Sequence, residues 1–67
     1  MVIVMRKDAD AASVEKVLGE VKSLGFTPHV SEGESRTLIG AIGPAPTEEL
    51  REHLSGLAGV ETVLELE

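Results

Sequence analysis

An α+β sandwich of four strands and two helices, in the order βαββαβ, is predicted for this 67-residue chain. Three observations predict it. Two segments repeat apolar residues at helical spacing, four others are short and β-branched or alternating, and the breaks between segments are rich in Gly, Pro or charge. Domains usually take ~100–200 residues, so the length admits one domain, spanning 1–67.

Met1-Val2-Ile3-Val4-Met5 is a β-branched run stopped by Arg6, Lys7 and Asp8, the pattern of a short buried strand. Asp8 or Asp10 can cap the first helix. Its stripe is Val14, Val17, Leu18, Val21 and Leu24, with Glu15, Lys16, Glu20 and Lys22 mostly off it. Gly25 is expected to end the helix in a left-handed conformation. Gly19, inside it, costs ~1 kcal/mol against Ala unless a close neighbour requires the missing side chain.

A second strand is expected from Phe26 to Ser31, with Phe26, Pro28 and Val30 on one face and Thr27, His29 and Ser31 on the other. Pro28 has no N–H for a ladder, which places this strand at a sheet edge. Glu32-Gly33-Glu34-Ser35 is the turn, with Gly33 expected at positive φ. Arg36 to Ile42 is the third strand. Gly43-Pro44-Ala45-Pro46 then breaks the chain, and Thr47 caps a second helix with Glu48 and Glu49 at its positive end. Leu50, Leu54 and Leu57 form its stripe, Gly59 is expected to end it, and Val60 to Leu66 is the last strand.

Two right-handed crossovers joined by a hairpin give the ferredoxin-like two-layer sandwich, with an antiparallel sheet in the order 4-1-3-2. The strands at Val2 and Leu38 are then central. Both helices cover one face and leave the other open. A half-exposed strand should alternate apolar and polar residues. Met1–Met5 and Leu38–Ile42 instead offer apolar or Gly residues to both faces. Such a patch marks an interface, the plainer reading being a small solvated patch on a stable monomer.

Composition narrows the partners. Six Lys+Arg against 12 Asp+Glu give a net charge of −6, which opposes nucleic acid and anionic membranes. Phe26 is the one aromatic residue, so there is no base-stacking platform. A chain this short buries only ~60% of its unfolded surface, and without Cys it has no disulfide to compensate. Pairing with a second copy or a larger protein is the remaining remedy. The charges after Met5 cut the first apolar run far short of a signal or a span, so a cytoplasmic location is expected.

Thr27, His29 and Ser31 project from one face and can donate and accept hydrogen bonds to a small polar ligand. An ordinary solvent-facing edge would look the same. Arg36 can clamp a carboxylate, or pair with Glu32 or Glu34. His53 lies at the edge of the second helix's stripe, with no second ligand at metal-binding spacing. Gly40-Ala41-Ile42-Gly43 lacks the Lys of a phosphate loop. No catalytic motif is present, so neither catalysis nor a cofactor is expected of these residues.

The block His29-Val30-Ser31-Glu32-Gly33-Glu34-Ser35-Arg36-Thr37-Leu38-Ile39-Gly40-Ala41-Ile42-Gly43 resembles the N-terminal ferredoxin-like domain of type Iβ 3-deoxy-D-arabino-heptulosonate 7-phosphate (DAHP) synthase. Met1–Met5 and Gly59–Val63 extend the resemblance over nearly the whole chain. It implies a regulatory domain of an enzyme whose metal-dependent (β/α)₈ barrel condenses phosphoenolpyruvate with erythrose 4-phosphate, opening aromatic amino-acid biosynthesis. In feedback-inhibited members such domains pair across subunits and trap tyrosine or phenylalanine. His29 and Ser31 match the positions that resemble the inhibitor-contacting pair. Gly33 and Arg36 match the motif as weaker candidates, and their match also reads as hairpin geometry.

The barrel itself has no counterpart in this sequence. The chain is expected to be either an excised regulatory domain, joined to its barrel in cis, or a free-standing relative that meets a barrel in trans. Two other readings compete. An ACT-like domain serving another enzyme would often place a Gly after the first strand, where this chain has Lys7-Asp8-Ala9-Asp10. A dimerisation or docking module would bind nothing small.

Overall fold

A computed structural model describes residues 1–65. It has the expected order: β1 (Val2–Met5), α1 (Ala11–Ser23), β2 (Thr27–Glu32), β3 (Thr37–Ile42), α2 (Glu48–Ser55) and β4 (Val60–Leu64). The sheet runs β2-β3-β1-β4, which is the ferredoxin-like order 4-1-3-2 read from the other edge. The neighbouring strands are antiparallel. Leu66 and Glu67, which the sequence placed at the end of the last strand, lie outside the described residues.

Local chemistry sets the helix ends. The Asp10 carboxylate accepts from Ser13 N–H at 2.8 Å, so Asp10 rather than Asp8 caps α1. At the other end Phe26 N–H donates to Val21 O and Gly25 N–H to Lys22 O, with Gly25 at φ +90°. These paired bonds form a Schellman close, and Val21 and Phe26 both enter the core. The Thr47 hydroxyl accepts from Leu50 N–H at 3.1 Å to open α2.

Two expectations about glycine need correction. The second helix ends at Ser55 with Gly56 as its cap, not at Gly59. Gly59, at φ +86°, instead turns the chain into β4, where its carbonyl accepts from Arg6 N–H at 2.7 Å. Leu57 lies beyond the helix yet still packs on the core. Gly33 is not at positive φ. A side chain there would lie 3.1 Å from the Arg36 carbonyl, which accepts from Gly33 N–H to close the hairpin. Close approach, not handedness, accounts for this glycine.

The core lies between the sheet and the helices. Ile3, Met5, Ile39, Val17, Val21 and Leu54 are its fully buried members. Ile3 pairs with Ile39 in register and Val30 pairs with Ile39 in turn, so the odd positions of β1 and β3 face the helices. The even positions, and Thr27, His29 and Ser31 of β2, therefore face away.

Candidate ligand-binding face

The open face is built in cross-strand rows. One runs His29–Gly40–Val2–Leu64 and the next Ser31–Leu38–Val4–Thr62, with Thr27 opposite Ile42 beyond them. Val4 is only 8% exposed but does not belong to the helix-side core. By strand parity it lies on the open face, between Leu38 and Thr62 in register, where Leu38, Ile42 and Leu64 remain exposed. The face is thus a second, half-formed apolar layer. Strict alternation along the last strand puts Val60, Thr62 and Leu64 on one face against Glu61 and Val63; the shift at residue 61 instead sends Val60 and Val63 to the core and turns Thr62 and Leu64 to the open face.

Thr27, His29 and Ser31 are exposed along the β2 rim of this layer. They share a face, as period-two spacing requires. None of the side-chain hydrogen bonds among the described residues involves them. Their donors and acceptors are therefore free to serve a ligand or water.

Arg36 behaves differently from the expectation. Its guanidinium pairs with Glu61, not with Glu32 or Glu34. Glu61 is available because the β1–β4 register shifts there: Val4 faces Thr62 and Met5 faces Val60, leaving residue 61 as a bulge. Gly33 contributes only the hairpin close. The structure thus groups Thr27, His29 and Ser31 and sets Gly33 and Arg36 apart, at one end of the face. His53 is exposed, with its ring 3.6 Å from Glu20 across the helix layer.

The charge distribution is uneven. Among the described residues no carboxylate stands within the open face. Glu32 and Glu65 fall by strand parity on the helix side, where Glu65 meets Arg51 at 3.0 Å, and Glu61 is held by Arg36 at the end. The remaining acids of the described residues belong to helices and loops. The described acids of this chain, whose net charge is −6, are thus kept off the body of this surface. A depression of about 380 Å³ lies elsewhere, between the helices, lined by Leu24, Thr47, Glu49, Leu50 and His53.

Over residues 1–67 the sequence matches the family of the DAHP synthase ferredoxin-like domain. The chain belongs to that family. Among solved structures it is similar to phospho-2-dehydro-3-deoxyheptonate aldolase (DAHP synthase) from Thermotoga maritima, with 26% identity and a TM-score of 0.80. The match covers 91% of this chain and 18% of the Thermotoga chain, so a DAHP synthase ferredoxin-like domain corresponds to a small part of that enzyme. No curated protein matches the chain. Among the described residues no helix is long and apolar enough to cross a membrane.

Proposed function

We propose that this DAHP synthase ferredoxin-like domain is an allosteric regulatory module that pairs through its open sheet face and binds phenylalanine or tyrosine between the copies. One observation carries the reading: an apolar face with no carboxylate within it among the described residues, on an otherwise acidic chain, bordered by unengaged Thr27, His29 and Ser31. Self-pairing of such a face buries Leu38, Ile42 and Leu64 without bringing like charges together. His29 and Ser31 supply the polar contacts to the ligand, with Thr27 beside them. Arg36, held by Glu61, braces the end of the face.

The partner is a DAHP synthase barrel, in cis or in trans, which condenses phosphoenolpyruvate with erythrose 4-phosphate with the help of a metal ion. That chemistry belongs to the barrel, and this domain contributes no catalytic residue or cofactor to it. Feedback works as a population shift. Ligand that binds only the paired arrangement favours it by its differential affinity, and pairing closes access to the barrel.

An NMR amide titration of the chain with tyrosine and then phenylalanine, run beside a sedimentation measurement, tests the reading. Saturable shifts around Thr27–Gly33 in a self-associated sample are expected. A self-associated sample without shifts at millimolar ligand overturns the ligand and leaves a docking module. A monomer under all conditions, with or without ligand, overturns the pairing.

A further inference from the structure

Gly40 lies in the middle of β3, a central strand, where a glycine weakens the sheet by its backbone freedom and missing side chain. Among the described residues nothing requires it. Its φ is not positive, and a Cβ there would lie 3.7 Å from the His29 carbonyl oxygen and 3.8 Å from the His29 Cβ, ordinary contact distances. At Gly43 and Gly59 the same test gives 2.8 Å and 2.9 Å, so those glycines are needed for packing. The gap at Gly40 is therefore open to something outside the fold.

The surroundings define what fits. His29 stands opposite Gly40 on β2 and Val2 on β1, while Leu38 and Ile42 flank it on the same face of β3. The gap is therefore a bare stretch of backbone with apolar sides and one imidazole wall. An aliphatic side chain from a second copy would fill the gap but bury the imidazole with no hydrogen-bond partner. The single Phe, Tyr or Trp ring of a second copy, Phe26, is buried against its helices. A small molecule carrying both a planar apolar ring and polar groups satisfies both walls.

We infer that Gly40 is the specificity-determining seat of the site: the aromatic ring of the ligand lies on its bare backbone, with the ligand's polar groups turned to His29. This rests on the reading of the open face as a phenylalanine or tyrosine site. Side-chain volume at position 40 then competes directly with the ring.

The test compares the wild-type chain, Gly40→Ala and Gly40→Val by calorimetric titration with phenylalanine and with tyrosine, alongside thermal melts and sedimentation without ligand. Both variants are expected to fold with an unchanged or raised Tm and to self-associate as wild type does. Binding is expected to weaken in order of volume, by about tenfold or more for Gly40→Val. Should Gly40→Val not fold, Gly40→Ala carries the comparison, since its methyl meets only ordinary contacts. Wild-type binding with variant affinities within about twofold of it overturns the seat and leaves the proposed function standing. Loss of self-association in the ligand-free variants also overturns it, because the glycine then serves a protein contact. A wild-type chain that binds neither amino acid removes both readings together.

Discussion

Arg36, just before β3, and Glu61, in the bulge of β4, form an ion pair that passes the end of the strand between them. The two residues are 25 positions apart in sequence. Their side chains are 31% and 48% exposed, so water screens the attraction and the pair is worth about 0.5–1 kcal/mol. Arg36→Ala and Glu61→Ala should each lower stability by about that amount. The double variant should lose less than the sum of the two singles, and the difference should shrink in salt. Urea melts of the four proteins at low and high salt measure this. Strict additivity would show that the contact contributes nothing.

Two glycines should respond to alanine with opposite signs. Gly19 is an exposed position of α1, and no neighbour lies within 4 Å of where its Cβ would stand. Gly19→Ala removes backbone freedom from the unfolded chain and should stabilise by about 0.5–1 kcal/mol. At Gly59 a Cβ would fall 2.9 Å from that of Ser13, on a backbone at φ +86°. Gly59→Ala should destabilise by roughly 1–3 kcal/mol. Chemical denaturation midpoints decide both, and a stabilising Gly59→Ala would contradict the packing of β4 against α1.

Acid should loosen the start of α1. The Asp10 carboxyl sits below its ordinary value of 3.8, first because Ser13 N–H donates to it and then through the Ser13 side chain. A lowered folded value means that the ionised form favours the native state. Its stabilisation is full above 3.8 and fades as the pH falls through the folded value beneath it. Asp10→Asn keeps a capping oxygen without the charge. Thermal melts should therefore place the wild type above the variant at neutral pH and bring the two together at the acid end. A constant gap across the titration would show that the charge plays no part.

Legibility followed sequence distance. The caps at Asp10 and Thr47 and the left-handed Gly25 rest on contacts within a turn, and their residue types announce them. The shared face of Thr27, His29 and Ser31 follows from strand parity alone. Gly33 misled because two different needs, positive φ and close approach, select the same residue. The Arg36–Glu61 pair depends on a bulge set by the β1–β4 register, which no nearby residue encodes. The burial of Val4 and the gap at Gly40 likewise emerge only once three strands lie side by side.

His29 separates binding from folding. Its side chain is exposed and makes no hydrogen bond within the described chain, so His29→Ala should leave the thermal midpoint nearly unchanged. If the imidazole meets the ligand in a face closed by pairing, its loss leaves a polar group of the ligand buried and unpartnered. That should weaken phenylalanine or tyrosine binding by about 1–3 kcal/mol. Calorimetric titration of the variant beside the wild type measures it, with a melt of each sample as the control. Unchanged affinity would move the polar contact from His29 to Ser31 and Thr27, whereas a variant that fails to fold would show that the imidazole packs into structure instead of facing outward.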